Sequence, residues 1–410
     1  VTRLRFDALD RFRSDPEVDA AGSQLGHPLD GATVPANVAP LDFAFDGGEV
    51  GEHYRVTLES ERVTVALFLQ RNDPGVARRV RPDSESWARL LEDAAGASFT
   101  AQVDRLNDEG VVPGRPATVF VAPEPLFADV VAWGVQDEPA RSWLVRRAVD
   151  DREAQPLPDF GAAECTGCHA SDDGWLMVTR DLSDSLLVDL ATGEIREGFA
   201  PTRPLDAASF APGGGSMVAS TREWPGSLPP APSELSWLDL DGAPLAATGL
   251  PEAPASSPAL SEDALYYVEG GSDHPGGTDA ATRLMRAPVT SFDPPALGAP
   301  TLVVDGADLA DRPEGGETIS RPAVTADGAV VVFAHGTRSR LLFGETSALY
   351  AARPGAAPVR LDAGVPPDAE TTSAWPAVLR QGELVWVAYY GRGDGGWRDL
   401  WVTALDLARL

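Results

Sequence analysis

The pentapeptide Cys165-Thr166-Gly167-Cys168-His169 contains both cysteines of the 410-residue chain and places a histidine directly after the second one. C-x-x-C-H is the sequence pattern at which c-type haem is attached. Two thiols at this spacing can each form a thioether with one vinyl group of the same porphyrin, and the following imidazole can take an axial position on the iron. The pentapeptide therefore predicts one covalent haem c, bound through Cys165 and Cys168, with His169 as the proximal ligand of the iron.

Three other roles for the cysteine pair stay open: a tight disulfide, a redox dithiol, or half of a zinc site. A zinc site would need ligands from His27, His53, His274 or His335, and none of these stands in a C-x-x-C or H-x-x-x-H pattern. A redox dithiol would be expected beside a strand–helix–strand pattern, which the surrounding sequence does not show. A structural disulfide, or a chance match to the haem pattern, is therefore the alternative to haem.

The distal ligand of the iron is predicted to be His27 or His274, because both lie in segments that could reach the haem. His27 belongs to a polar lead-in, and His274 belongs to a loop rich in glycine and proline. Met177, Met217 and Met285 are expected to pack in the core instead, since each stands within a strand-like apolar run. A five-coordinate haem that is open to small ligands is the other arrangement.

Motifs for other chemistry are few. No G-x-S-x-G, P-loop or zinc-protease motif occurs. The acidic loops Asp305–Asp311 and Arg392–Gly396 could hold calcium, but neither has the twelve-residue calcium-loop pattern, and solvated turns are the default interpretation. A covalent haem without a neighbouring acid–base pair needs only its ligands and an exposed edge to exchange single electrons. We therefore expect an electron-transfer protein rather than an enzyme.

Charge and composition limit the partners and the location. The 33 basic residues are all arginine, and with 62 acidic residues the net charge is −29. This charge argues against nucleic acid or an anionic membrane as partner, and it favours solubility and docking to a basic protein partner for redox transfer or assembly. No apolar run is long enough to span a bilayer. Because the chain opens on Val1 and carries a motif that is loaded with haem outside the cytoplasm, we expect a removed signal peptide or lipid anchor and a periplasmic, extracellular or outer-membrane-anchored bacterial protein.

The pattern of short strands predicts an all-β chain. Residues 1–36 are polar and punctuated by proline and glycine, which indicates a lead-in segment. Between residues 37 and 125, alternating runs such as Val63–Leu69 are separated by Gly/Asp turns. Such a series predicts an immunoglobulin- or fibronectin-like sandwich.

The remainder of the chain repeats itself. A small or hydroxyl residue, a turn of the Asp-Gly kind and a β-rich run recur five times, beginning near Ser171, Ser209, Ser257, Ser320 and Ser373. Repeats of this length with several strands each are typical of propeller blades. Two further strands, at 130–135 and 142–149, would supply one more blade. We therefore predict a five- or six-bladed β-propeller over residues 126–410, with the haem-attachment loop 165–169 at one of its faces.

These repeats resemble the TolB-type, WD40-like propeller family, whose blades carry an S-x-P-x-x-S-x-D-G pattern. The resemblance covers residues 165–410 and is loose, since Pro212-Gly213-Gly214 replaces the Asp-Gly turn in one repeat. The whole layout is also similar to a group of bacterial secreted proteins that combine a sandwich, a C-x-x-C-H-x-x-S-x-D-G segment and a TolB-like propeller. Cys165–Gly174 matches that segment with one residue fewer. The resemblance implies this architecture and adds no activity.

Overall fold

The chain divides into two compact units. One comprises Val1–Val130 with Arg147–Ala154, and the other comprises residues 131–146 with Gln155–Leu410. The structure is a computed structural model, and it describes residues 6–18, 22–28, 30–45, 48–49, 51–70, 78–137, 140–151, 153–157, 165–171, 173–180, 184–199, 205–221, 233–252, 254–270, 282–309, 318–336, 347–361, 373–392 and 398–407. In this described part, no helix is long and apolar enough to span a lipid bilayer.

The first unit combines two helices with short strands. Its elements are α1 (Phe6–Ser14), β1 (Leu25–His27), β2 (Thr33–Val34), β3 (Phe43–Phe45), β4 (His53–Glu59), β5 (Thr64–Gln70), β6 (Arg78–Val80), α2 (Ser84–Ala94), β7 (Ser98–Leu106), β8 (Val111–Val112) and β9 (Ala117–Val121). The strands form two sheets, one with the order β1-β3-β6 and the other with the order β2-β9-β7-β4-β5, with β8 beside β7. Only β2 and β9 run parallel among these described strands.

One core is shared by both sheets and by α2. Side chains of a strand alternate between its faces, so Tyr54, Val56 and Leu58 of β4 are all fully buried. The α2 helix begins at Asp83, whose carboxylate accepts a hydrogen bond from the Ser86 amide at 2.9 Å. Its buried face contributes Trp87 to the same core, where the indole ring packs edge-on against aromatic rings from both sheets.

The strand order can be compared with the sandwich that the sequence predicts. One sheet has three strands, and in the other β9, β7, β4 and β5 are neighbours in that order. The α2 helix and the parallel edge strand β2 are additions to that plan. The relation to immunoglobulin or fibronectin domains stays a prediction. Residues 1–36, expected to be a lead-in, contribute α1, β1 and β2 to this unit, because Ala8, Phe12 and Leu25 are buried in it.

The rest of the chain consists almost entirely of strands. They are β10 (Asp129–Asp137), β11 (Ala140–Ala148), β12 (Gln155–Pro156), β13 (Cys165–Ala170), β14 (Trp175–Arg180), β15 (Asp184–Asp189), β16 (Ile195–Phe199), β17 (Leu205–Phe210), β18 (Ser216–Thr221), β19 (Leu235–Asp239), β20 (Ala255–Leu260), β21 (Ala264–Glu269), β22 (Arg283–Phe292), β23 (Pro295–Leu297), β24 (Thr301–Asp305), β25 (Thr318–Val324), β26 (Val331–Gly336), β27 (Ser347–Ala352), β28 (Val359–Arg360), β29 (Ser373–Gln381), β30 (Leu384–Arg392) and β31 (Arg398–Asp406). A short 3-10 helix spans Gly306–Asp308.

These strands form antiparallel sheets that follow one another along the chain. Counting only the described residues there are six, and we call them the first to the sixth sheet: β10–β12, β13–β16, β17–β19, β20–β24, β25–β28 and β29–β31. From the second sheet onward, the first strand of each sheet contacts the first strand of the next. The sheets therefore share a common inner side, formed by their first strands.

The second to fifth sheets are buried on both faces because each of them packs between two neighbours. In β14, Leu176 and Val178 pack with Leu144 of the first sheet, whereas Met177 packs with Phe210 of the third. Equivalent apolar interfaces join the third to the fourth, the fourth to the fifth and the fifth to the sixth sheet. A fully buried aliphatic side chain contributes about 1.5–3 kcal/mol. Serial packing of this kind is the architecture of a β-propeller, so the predicted all-β propeller is confirmed.

Buried hydroxyl groups also connect successive sheets. The Ser185 Oγ accepts a hydrogen bond from the Leu205 amide at 3.1 Å, which ties the second sheet to the third. The Ser209 Oγ accepts one from the Leu260 amide at 2.8 Å, and the Thr282 Oγ1 accepts one from the Ile319 amide at 2.6 Å. In each case the donor lies in the first strand of the following sheet. These three hydroxyl groups therefore help to hold the first strands in place.

Candidate functional site in the first strand of the second sheet

The C-x-x-C-H motif lies in β13 rather than in the loop that the sequence predicts. Cys165 is the register partner of Arg180, Cys168 of Val178 and His169 of Met177. The segment is a strand because β14 is buried, and its backbone needs hydrogen-bond partners on both sides. The motif thus belongs to the inner side of the propeller, where first strands meet.

A β-bulge accounts for the spacing of the two cysteines. From Cys165 to Cys168 the chain advances three residues, while the opposing register in β14 advances two, from Arg180 to Val178. A bulge inserts one extra residue into one strand of a pair in this way. Positions 165 and 168 are therefore opposite two residues that share one face of the sheet.

The same bulge recurs in sheets that have no cysteine. In the third sheet, Leu205 is opposite Thr221 and Ala208 is opposite Ala219, so three residues again oppose two. Leu205 and Ala208 are buried in the interface with the second sheet. First strands of the fourth, fifth and sixth sheets are bulged as well, within residues 256–259, 320–323 and 374–377. The three-residue spacing is thus a property of the repeated backbone.

The register partners of positions 168 and 169 lie on opposite faces of the sheet. Met177, the partner of His169, packs against the third sheet, whereas Val178, the partner of position 168, packs against the first sheet. Positions 168 and 169 therefore have register partners on opposite faces of β14. Attachment of haem through Cys165, Cys168 and His169 stays a prediction.

The turn after the motif explains the S-x-D-G part of the repeats. The Ser171 amide donates to the Trp175 carbonyl at 2.8 Å, and the Ser171 Oγ accepts from the Trp175 amide at 2.9 Å. The Ser261 Oγ accepts from the Ala264 amide in the fourth sheet, and the Thr325 Oγ1 accepts from the Val330 amide in the fifth, each at 3.1 Å. One hydroxyl therefore closes the turn between the first and second strands in each case.

The predicted distal ligands belong to other parts of the chain, and their role stays a prediction. His27 ends β1 in the first unit, where it is half-buried and is the register partner of Ala44. His274 lies outside the described residues. Met177 and Met217 are fully buried between the second and third sheets, which confirms their predicted place in the core. Met285 is partly buried against the interface of the third and fourth sheets, as expected.

The remaining histidines and acidic loops have structural environments. His335 is fully buried, and its Nε2 lies 3.1 Å from the Gly306 carbonyl oxygen. His53 opens β4 and is half-buried. The Asp305 carboxylate accepts from the Ala307 amide at 3.0 Å at the start of the 3-10 helix, and residues 310–317 and 393–397 of the two acidic loops lie outside the described residues. Among the described side chains, no group of three or more histidine, cysteine, aspartate or glutamate residues could hold a metal ion.

Two turn carboxylates have pKa values below their ordinary range. At the end of β15, hydrogen bonds from the Thr192 hydroxyl and the Ala191 amide lower the pKa of Asp189. In the fifth sheet, burial alone would raise the pKa of Asp327, but hydrogen bonds from the Thr325 hydroxyl and the Ala329 amide outweigh it and lower the pKa. Both carboxylates accept hydrogen bonds from groups in their own turns, so their role is to stabilise these turns.

Backbone strain is the feature that the sequence motifs did not reveal. Ser257 and Arg321 have φ angles of 50° and 49°, a left-handed conformation that residues other than glycine rarely adopt. Both lie within the bulges of the fourth and fifth sheets, and each directly precedes a proline. Ser257 is buried and Arg321 is half-buried. The Ser-x-Pro-Ala sequence recurs at both positions and could have drawn attention to them, although it does not indicate that φ is positive.

Comparison with known proteins gives remote structural similarity only. No protein-family model and no curated protein matches the chain. Among solved structures, TolB from Acinetobacter baumannii is similar with a TM-score of 0.41 and 13% identity over 79% of this chain and 83% of that one. An oligogalacturonate lyase in complex with manganese has a TM-score of 0.38 and 15% identity over 68% and 72% of the two chains. BamB from Moraxella catarrhalis has a TM-score of 0.31 and 9% identity over 75% and 78%.

Proposed function

We propose that this protein is a non-enzymatic binding propeller outside the bacterial cytoplasm, which docks a protein partner and uses its cysteine pair for structure. The observation that carries the proposal is the shared bulge. The segment from Leu205 to Ala208 in the third sheet has the register of Cys165 to Cys168 and contains no cysteine. The spacing of the cysteines therefore has a structural cause, and the repeated first strands are the chain's main functional surface.

The strained bulges of the fourth and fifth sheets are the proposed docking point. A residue other than glycine in the left-handed region costs about 1–3 kcal/mol, and such strain is concentrated at binding and catalytic sites. Ser257 and Arg321 have this conformation at corresponding places of neighbouring sheets.

Net charge supports a protein partner over nucleic acid. At −29, the chain would repel a phosphate backbone and attract a basic protein at long range. The proposed location outside the cytoplasm depends on the C-x-x-C pair, since disulfides persist in oxidising compartments. A structural disulfide between Cys165 and Cys168 would fit that location.

Covalent haem is the second candidate function, because Cys165-Thr166-Gly167-Cys168-His169 is the attachment pattern itself. Haem would supply single-electron exchange with a redox partner.

One experiment separates the two functions. The chain is produced outside the cytoplasm together with haem-attachment machinery, and its visible spectrum is compared with that of the C165A/C168A double variant. The binding proposal expects identical spectra and no haem after acid-acetone extraction. A reduced c-type absorption band that is present only in the natural chain would replace the binding proposal with the haem one.

A second experiment tests the docking point. A photoreactive residue replaces Arg321 in cells that make the protein, and the same residue replaces the exposed Ala191 as a matched control. Crosslinks to polypeptide are expected at position 321 and not at position 191. Equal labelling at both positions, or labelling at neither, would contradict a partner that docks at the strained bulges.

A further inference from the structure

The β5 strand is an edge strand without the usual protection. It is the last strand in the order β2-β9-β7-β4-β5, and no described strand lies beyond it. Its sequence, Thr64-Val65-Ala66-Leu67-Phe68-Leu69-Gln70, contains no charge and no proline. Natural edge strands are commonly shortened, bulged, charged or interrupted by proline, because an open edge pairs with other strands. An uncharged edge of seven residues is therefore a ready pairing surface.

The hairpin with β4 determines which backbone groups of β5 face outward. The Ser60 amide donates to the Val63 carbonyl at 2.9 Å, so this pair is hydrogen-bonded. In an antiparallel ladder, hydrogen-bonded and non-hydrogen-bonded pairs alternate. The residues whose amide and carbonyl groups point away from β4 are accordingly Thr64, Ala66, Phe68 and Gln70. Each of these four residues offers one donor and one acceptor at the free edge.

We propose that a second copy of this chain pairs with this edge, β5 against β5 in antiparallel orientation, with the two-fold axis at Leu67. In this register all four outward residues of each strand find hydrogen-bonding partners, because Thr64 is opposite the partner's Gln70 and Ala66 is opposite the partner's Phe68. A two-fold interface must be self-complementary, and this register meets that condition.

Side chains on the outer face of β5 are complementary in the same register. Ala66 is exposed, whereas the Phe68 ring is held by Phe12 of α1 at a centroid distance of 5.8 Å. The pairing sets a small side chain opposite a large one twice, so each phenyl ring covers the partner's alanine. Each copy thus presents the Phe68 ring and the exposed Ala66 in the arrangement that the pairing needs.

The absence of charge in β5 allows a second copy to approach at this edge. Two chains that each carry −29 repel one another over most of their surfaces. Since the seven residues of β5 carry no charge, the edge lets two backbones meet without placing like charges opposite each other. Like charges directly opposite in a sheet are destabilising, so an uncharged strand is what the pairing needs.

The first test is the mass of the full chain by sedimentation over a wide range of concentration. We expect a reversible transition from the 43.2 kDa monomer to a dimer of twice that mass. Ala66→Pro removes only an outward amide, which edge strands tolerate, and Ala66→Lys places two ammonium groups near the axis. Either change is expected to weaken dimerisation about tenfold or more, whereas Ala191→Lys in an exposed turn leaves it unchanged.

The second test examines the register directly. Residues at a non-hydrogen-bonded antiparallel pair have Cα atoms about 4.5 Å apart, which a disulfide can bridge. Under mild oxidation, Leu67→Cys is therefore expected to give a covalent dimer. Ala66→Cys would place its diagonal pair about 7–8 Å apart, too far for efficient bridging. The natural chain, oxidised in parallel, measures the background from Cys165 and Cys168.

Four results would overturn the proposal. The first is a natural chain that stays monomeric at the highest concentration tested. The second is a dimer affinity that is the same in both Ala66 variants as in the natural chain, once circular dichroism and thermal melting have shown that each variant is folded. The third is crosslinking at position 66 that equals crosslinking at position 67. Binding of another protein to the β5 edge of a monomeric chain would also reject the second copy as its occupant.

Discussion

The first strands of the second and third sheets have the same bulge and different residues in it. Positions 165 and 168 are cysteines in one sheet, and the corresponding positions in the other are Leu205 and Ala208. A bulge changes the count of residues along one strand and so sets which positions share a face. The comparison teaches that a spacing typical of a chemical motif can also arise from the backbone of a repeat.

The bulge of the third sheet is held by hydrogen bonds from the second sheet. Leu205 is 1% exposed, and its carbonyl accepts a hydrogen bond from the Thr179 hydroxyl at 2.5 Å. Its amide donates to the Ser185 hydroxyl, so both backbone groups of Leu205 are engaged by the second sheet. This bulge is thereby a structural junction, and substitutions at it are expected to reduce stability more than substitutions at exposed positions.

The largest effect is expected for Leu205→Ala. The substitution removes a fully buried side chain from the interface between the second and third sheets, which typically costs about 2–5 kcal/mol of unfolding free energy. Denaturant unfolding measures this loss. Leu302→Ala, at a side chain that is 55% exposed, is the control and should change little. A loss for Leu205→Ala as small as the control's would mean that the interface does not support the fold.

Thr179→Val is expected to have the next largest effect. The valine keeps the shape but leaves the Leu205 carbonyl and the Ser185 hydroxyl without their buried partner, at a cost of about 1–3 kcal/mol. The measurement is again the free energy of unfolding. Thr221→Val, in the third sheet's second strand, is the matched control because the Thr221 hydroxyl is exposed. If Thr179→Val and Thr221→Val lost the same free energy of unfolding, the hydrogen bonds at the third sheet's bulge would contribute no more than an exposed hydroxyl does.

A pH-dependent effect is expected for Asp189→Asn. Because its turn lowers the pKa of Asp189, the folded state favours the ionised carboxylate. This contribution to stability is fully present above the ordinary aspartate pKa, about 3.9, and is lost as the pH falls through the lower folded value. The difference in melting temperature between the natural chain and the variant should therefore shrink in acid. A difference in melting temperature that stays constant down to the lowest pH measured would contradict this prediction.

The smallest effect is expected for C165A/C168A. The corresponding bulge of the third sheet forms around an alanine at its last position, so the backbone needs no sulfur there. We expect the double variant to fold with a melting temperature within about 2 °C of the reduced natural chain, which corresponds to less than about 1 kcal/mol. Differential scanning measures it. A collapse of the fold in the double variant would give the cysteine pair a larger structural role than the comparison indicates.

Much of the architecture could be predicted from local sequence. Hydroxyl residues before turns that contain aspartate, such as Ser261 and Thr325, form hydrogen bonds with residues only a few positions away, so their pattern repeats visibly. Methionines within apolar strands were correctly assigned to the core. The site was harder to predict, because the side of the sheet at which His169 stands depends on the bulge before it, and one extra residue reverses the alternation.

By itself, the sequence of this protein determined the strand-rich repeats, their turns, the strong negative charge and the one C-x-x-C-H pentapeptide. These depend on residue types and short-range spacing. Only the tertiary structure decided that the pentapeptide is a bulged strand on the inner side of the propeller, that Ser257 and Arg321 have strained backbones, and that β5 is the last of the described strands in its sheet. Those outcomes arise from pairing and packing between segments distant in the chain, whose register no local pattern specifies.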